Sequence, residues 1–275
     1  MTSRQTTEAS VQFPSNDDAE KPVHQLVLVT VLMPCLNESR TLAACINQAH
    51  HGCRNALLSY GRIKDDAVPN ACHTHQEWTY EILIADNGST DGSQAIAKDN
   101  GARVVNVENR GYGAAVLGGV SAARGRYIVM GDSDCSYSFE EIGSFLAKLC
   151  EGYDLVMGNR FIGGIKVGAM PWHHRYIGNP LLSFIGRLLY PTPCRDWHCG
   201  LRAFDRQSIV SLNLESQGME LASEIVLKSS QWNLKQTEIP VVLSPDGRDR
   251  PPHLRSFRDG FRHLSLLMRS KMKRR

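Results

Sequence analysis

The sequence predicts an α/β fold, a mostly parallel sheet with helices on both faces, and three observations predict it. Strand-like and helix-like segments alternate from about residue 26 to about residue 160, the pattern that parallel strands with crossover helices require. The strand-like runs QLVLVTVLMP and YIVM are continuously apolar, which suits strands covered on both faces. The polar motifs PCLNE, ADNGSTDG and GDSDCS each follow such a run, and open sheets of this class bind ligands beyond the carboxyl ends of their strands.

Residues 1–25 are polar, without an apolar core segment, and read as a disordered arm with no signal peptide. The first strand closes at Pro34, and Asn37 is placed to cap a helix carrying Leu42, Cys45, Ile46 and Ala49 at helical spacing. Residues 52–78 read as a long polar surface excursion. YEILIAD is the second strand, Ser93 the cap of the helix that ends at Gly101, and RVVNVE a short third strand. A glycine-rich segment, RGYGAAVLGGVSAARG, turns helical before the strand RYIVMGD, the amphipathic helix SFEEIGSFLAKLC and the strand DLVMGNRF. The second half reads as the helix RYIGNPLLSFIGRLLYP, the strand CGLRAF, the helix GMELASEIVLKSSQW, the strand LKQTEIPVVLS, a Pro- and Arg-rich loop, and a basic terminal helix.

Composition narrows the function classes. The 275 residues carry a net charge of +3, too small to argue for a nucleic-acid partner. Eight cysteines stand without a C-x-x-C pair, which fits reduced thiols in a cytoplasmic protein, and that reading is preferred over a zinc site in the cluster His50, His51, Cys53, Cys72, His73 and His75. No apolar run is long enough for a membrane-spanning helix.

Asp132 and Asp134 stand one residue apart at the tip of a core strand. Two such carboxylates repel unless a cation lies between them, and a divalent ion there keeps sites for water or phosphate oxygens. The alternative is a turn in which Asp134 or Ser133 caps backbone N–H groups. NRGYGAA permits close backbone approach at Gly111 and Gly113 ahead of a helix N-terminus, or is a loop that needs positive φ. It lacks the G-K-[ST] of a phosphate-binding Walker loop.

VLMPCLNE, EILIADNGSTDGS, NRGYGAAVLGGVSAARGRYIVMGDSD, LVMGNRF and DWHCGLRAF occur in this order. Together they resemble glycosyltransferase family 2 on the GT-A fold, in the branch of dolichyl-phosphate mannose and polyprenyl-phosphate glucose synthases. The resemblance spans roughly residues 26 to 265. It implies a Rossmann-like nucleotide-binding domain over 26–255, with 256–275 as a basic amphipathic helix. It further implies inverting transfer of a hexose from a UDP- or GDP-linked sugar to a polyprenyl phosphate or a small hydroxylated acceptor, with Mg²⁺ or Mn²⁺.

On this resemblance Asp132 and Asp134 hold the metal, with Asp134 the more direct ligand. Pro34, Asn37, Glu38, Asp86, Gly88, Gly113, Asp132 and Arg160 form the donor side: Glu38 at the ribose, Asp86 at the base or ribose, Arg160 at a phosphate. Asp196 supplies the catalytic base or orients the acceptor. Arg202, Glu224 (with Glu220 as its rival), Arg250 and His253 lie on the acceptor side. Cys135 and Ser138 depart from the acidic residues of many relatives in this branch. A non-catalytic nucleotide-sugar-binding scaffold is the alternative from another class. A nucleotidyltransferase ranks last, because PCLNESR offers no glycine-rich phosphate cradle.

Phe257, Phe261, Leu264 and Met268 share one helical face beside Arg258, Arg262, Arg269, Lys271 and Lys273. This predicts either a helix lying on an anionic membrane surface, at the inner face of the membrane, or a stripe packed on the domain with a solvated basic tail.

Overall fold

The computed structural model describes residues 26–67, 78–248 and 256–272. Its strands are β1 (Leu26–Cys35), β2 (Trp78–Asp86), β3 (Arg103–Asn106), β4 (Tyr127–Met130), β5 (Leu155–Asn159), β6 (Arg202–Asp205) and β7 (Gln236–Pro240). The helices are α1 (Leu42–Ala67), α2 (Ser93–Asp99), α3 (Tyr112–Ala122), α4 (Ile142–Cys150), α5 (Arg160–Gly163), α6 (Asn179–Leu189), α7 (Arg206–Ser211), α8 (Leu221–Gln231) and α9 (Ser256–Met272). A 3₁₀ turn at Phe139–Glu141 leads into α4, and a π-helical turn at His174–Gly178 leads into α6.

The seven strands form one sheet in the order β3-β2-β1-β4-β6-β5-β7. β6 runs antiparallel to both of its neighbours and every other pairing is parallel. Successive residues of β1 point to opposite faces: Val31 and Met33 join one core with α1 and α4, and Leu32 joins the other with α3 and α8. Both faces are therefore dry, which is why the strands read as unbroken apolar runs. The register pairs Cys35 with Asp86 and Leu32 with Met130, so the polar residues after β1, β2 and β4 emerge side by side.

Three local expectations are corrected. The surface excursion expected from residue 52 is helical as far as Ala67, because Cys53 and Ala56 continue the buried stripe of Cys45, Ile46 and Ala49. Asn37 does not cap α1: it sits at φ 58° and its Oδ1 accepts from Thr90 N at 2.7 Å, tying the β1 end to the β2 turn. Ser93 lies inside α2, after Gly92; its N–H is held by Asp91 Oδ1 and its Oγ accepts from Glu38 N at 3.0 Å.

α9 packs on α6 and α8. Its inward face is Asp259, His263 and Leu267, spaced one turn apart. Of the two alternatives for the apolar stripe, packing on the domain is not what Phe261 and Met268 do: they are 72% and 51% exposed. Among the described residues no helix is long and apolar enough to cross a membrane.

Candidate active site

A cleft of about 390 Å³ opens beyond the carboxyl ends of β1, β2 and β4. Pro34, Glu38, Asp132 and Asp134 line it, as do Asn87, Arg110, Tyr112, Met219, Arg248, Arg258 and Arg262. The motifs after three strands thus meet at one place, where the sheet order reverses direction from β1 to its two neighbours.

Asp132 is half-buried between two motifs. Tyr112, at the start of α3, donates its hydroxyl to Oδ1 at 3.0 Å. Gly200, in DWHCGLR, lies so close to Oδ2 that a Cβ there would stand 2.5 Å from it. Burial first, and the Asp134 carboxylate second, push the Asp132 carboxyl up to about 6. Asp134 is buried, and Ser136 donates to its Oδ1 from N at 3.0 Å and from Oγ at 2.6 Å. The turn alternative for this pair is therefore present: Asp134 caps the turn with one oxygen.

The other oxygen faces a cation that sequence reasoning passed over. Arg248 Nη2 lies 2.8 Å from Asp134 Oδ2 and 3.0 Å from Asp246 Oδ2, and Nη1 lies 3.5 Å from Glu38 Oε1. Gly247 N donates to Asp134 O at 2.8 Å and Ser244 N to Ser136 O at 2.9 Å, so the segment before Arg248 is laced to the D-x-D turn. The expected basic residues of that loop, Arg250 and His253, lie outside the described residues.

The donor set fits a hard divalent cation. Two carboxylates, Asp132 and Asp134, line the same cleft, and among the described residues no group of three or more His, Cys, Asp or Glu side chains is placed to hold a metal ion by itself. Mg²⁺ and Mn²⁺ accept such incomplete oxygen sites, filling the rest with water and phosphate. The guanidinium between Asp134 and Glu38 marks the place where positive charge is already accommodated.

At the β2 end Asp86 is 1% exposed. Its Oδ2 accepts from Gly88 N, Ser89 N and Gln94 Nε2, while its buried Oδ1 has no hydrogen-bond partner. A buried acceptor without a partner is costly and is ready for an N–H or O–H donor. Gly88 adopts φ +93°, and the Arg110 guanidinium occupies the space a side chain there would need. Gly113 does not line the cleft; its missing Cβ makes room for Ser216 O and Gly218 O, which would lie 2.3 and 2.7 Å away.

Arg202 and Glu224, expected on the acceptor side, do not line the cleft, and neither do Asp196, expected as the base or acceptor-orienting residue, and Arg160, expected at a donor phosphate; all four are buried in the protein interior. Asp196 is fully buried and accepts from Arg160 at three points, Nε to Oδ2 at 2.8 Å, Nη2 to Oδ1 at 2.7 Å and N to Oδ2 at 3.0 Å. Glu238 of β7 fixes the same segment by accepting from Asp196 N at 2.7 Å. Arg202, 2% exposed, donates to Cys199 O and Ala222 O. Glu224 holds the 215–216 turn through Glu215 N and Ser216 N, whereas Glu220 lies 3.9 Å from Arg262, a cleft residue. Ser223 Oγ sits 2.7 Å from His263 Nδ1 of α9 and 3.3 Å from His198 Nε2, joining α9 to the DWHCG segment.

The glycosyl transferase family 2 model matches residues 30–212. The low-salt glycan biosynthesis hexosyltransferase Agl6 of Haloferax volcanii is 35% identical over 241 residues, which are 87% of this chain and 53% of that protein. The chain thus spans about half the length of that relative. The dolichyl-phosphate hexose transferase of the same organism is 30% identical over 161 residues, 58% of this chain and 68% of that one. Among solved structures, glucosyl-3-phosphoglycerate synthase from Mycobacterium tuberculosis, in complex with Mn²⁺, UDP and glucosyl-3-phosphoglycerate, superposes with a TM-score of 0.58 at 20% identity over 90% of this chain and 77% of that one. That likeness is one of fold.

Proposed function

The chain belongs to glycosyltransferase family 2, and on that premise we propose that it is a metal-dependent, inverting hexosyltransferase that uses a UDP- or GDP-linked sugar and a polyprenyl phosphate acceptor. The observation that carries this reading is the convergence of Asp132, Asp134, Glu38 and Arg248 on one cleft at the strand ends. Asp132 and Asp134 would hold Mg²⁺ or Mn²⁺, which when bound neutralises charge growing on the leaving diphosphate. Arg110, Arg248, Arg258 and Arg262 line the same cleft and add positive charge that is fixed before the reaction begins. Glu38 and the partnerless Oδ1 of Asp86 offer acceptors to the nucleoside.

The acceptor oxygen would attack the anomeric carbon in line with the departing diphosphate. A hydroxyl acceptor needs a general base, and a phosphate, already ionised, needs positive charge instead. The Asp196 carboxylate is committed to Arg160 on both oxygens. This favours an orienting role for Asp196 over proton abstraction, and so favours the phosphate acceptor. The naming of one relative as a dolichyl-phosphate hexose transferase supports the same class. A lipid acceptor also agrees with the apolar side chains exposed on α6 and α9, Leu181, Phe184 and Leu188 with Phe261 and Met268, beside the basic residues of α9.

The test is transfer of radiolabelled sugar from UDP-glucose, GDP-mannose and related donors to a short polyprenyl phosphate, with Mn²⁺ or EDTA. Metal-dependent appearance of a labelled lipid supports the reading. Transfer to none of the lipid phosphates, with transfer to a water-soluble hydroxyl, removes the acceptor class and returns Asp196 to the role of base.

A further inference from the structure

Two thiols meet directly behind the D-x-D turn. Cys45, on the first turn of α1, is fully buried, and its Sγ lies 3.5 Å from the Sγ of Cys135, which is half-buried and adjoins Asp134. Cys135 holds φ +63°, a left-handed conformation that side chains other than glycine rarely adopt. Its Sγ also lies 3.7 Å from Thr41 O, and Thr41 Oγ1 donates to Ser133 O at 2.7 Å. The start of α1 and the metal-binding turn are therefore stitched together through these residues. Neither thiol enters the chemistry proposed above.

We propose that Cys45 and Cys135 form a reversible disulfide under peroxide, and that the bond shifts the D-x-D turn and lowers donor binding. The effect on donor binding rests on the function proposed above; the bond and the shift do not. Cys135 sulfur, the accessible partner, attacks one peroxide oxygen; the O–O bond breaks, water leaves and a sulfenic acid remains. Cys45 sulfur then attacks the sulfenic sulfur and displaces a second water, so two thiols lose two electrons and one peroxide gains them. A dithiol reverses the reaction by exchange.

A disulfide requires about 2.05 Å between sulfurs, against the 3.5 Å present. The sulfurs must therefore approach by about 1.5 Å, and α1 is anchored in the core whereas Cys135 sits in a turn. The movement falls on Asp134 and on its backbone contact with Gly247, which carries Arg248. Misplacement of reacting groups by about 1 Å costs on the order of 100-fold in turnover, and a loss of that order is expected.

The experiment treats the purified full chain with hydrogen peroxide, blocks remaining thiols and maps disulfides by mass spectrometry. Amide hydrogen exchange over 132–138 and 244–248 is read in parallel. The expected result is a Cys45–Cys135 cross-link as the first oxidation product, faster exchange in both segments, loss of Mn²⁺-dependent nucleotide binding, and full return with dithiothreitol. Cys45→Ala should keep its untreated activity and lose the reversible response, and Cys135→Ser should do the same if the first variant fails to fold. Oxidation confined to the exposed Cys150, a cross-link without change in exchange, or an equal reversible loss in Cys45→Ala would each overturn the proposal. Cross-linking and exchange are read without activity, so failure of the assigned reaction leaves this test standing. A formed cross-link with faster exchange, but unchanged nucleotide binding, overturns the effect on the donor alone.

Discussion

Replacing Asp196 by Asn tests whether that residue holds the site together or moves a proton. The Arg160–Asp196 pair is bidentate, and the two side chains are 8% and 0% exposed. Removing one charge leaves the Arg160 guanidinium buried and uncompensated, at a cost of about 3–5 kcal/mol. For a chain of this size each kcal/mol shifts the unfolding midpoint by about 2–4 °C, so Asp196→Asn should lower it by roughly 10 °C. The double variant Asp196→Leu/Arg160→Met should recover most of that loss, because exchanging a buried ion pair for apolar groups of similar volume is often neutral. Thermal and urea denaturation read both variants, and turnover is measured beside them. A wild-type midpoint in Asp196→Asn together with a turnover loss of about 1,000-fold or more would refute the positioning argument and make Asp196 the base.

Three further predictions follow from the cleft and its walls. Asp134→Ala should abolish metal-dependent nucleotide binding while far-UV circular dichroism stays unchanged; wild-type binding in titration calorimetry would remove Asp134 as a ligand. Gly113→Ala should cost about 1–3 kcal/mol from overpacking and weaken nucleotide binding, because its Cβ would press on Ser216 O and Gly218 O beside the cleft; urea midpoints and binding titrations check this. Burial lowers His263 from the ordinary 6.5 to about 4, so the unfolded chain takes up a proton first as pH falls. Stability should therefore drop between about pH 6.5 and pH 4, by up to about 3 kcal/mol from this residue. Asp132, raised to about 6, acts in the opposite sense over part of that range. The difference between wild type and His263→Gln isolates the histidine, and parallel stability–pH curves would contradict its burial in the neutral form.

How far the sequence was legible depends on what each residue signals by itself. The sheet was readable because both of its faces are dry, so β1, β4 and β5 appear as unbroken apolar runs whose ends carry the polar motifs. The second half of α1 was missed because its sequence is largely polar, while among the described residues Cys53 and Ala56, with Leu57 partly buried, continue the apolar stripe. α9 left two alternatives open in the sequence because its buried face includes Asp259 and His263, polar residues that carry no apolar signal, while Phe261 and Met268 of its apolar stripe are exposed. Of the site, Glu38, Asp132 and Asp134 could be found from motifs at strand ends. Arg248 could not, because a loop arginine carries no periodic signal and its meeting with Asp134 spans more than a hundred residues. Tyr112 sat unread inside NRGYGAA for the same reason: the glycines announce the turn, but only the fold brings the hydroxyl to Asp132.

The most direct test of the account is isothermal titration of the full chain with UDP and with GDP, each in the presence of Mn²⁺ and of EDTA. The account predicts that one nucleotide binds with Mn²⁺, that EDTA abolishes the binding, and that Asp134→Ala abolishes it as well. Equal binding in Mn²⁺ and EDTA, or binding of neither nucleotide, would contradict the assignment of the cleft as a metal-dependent donor site.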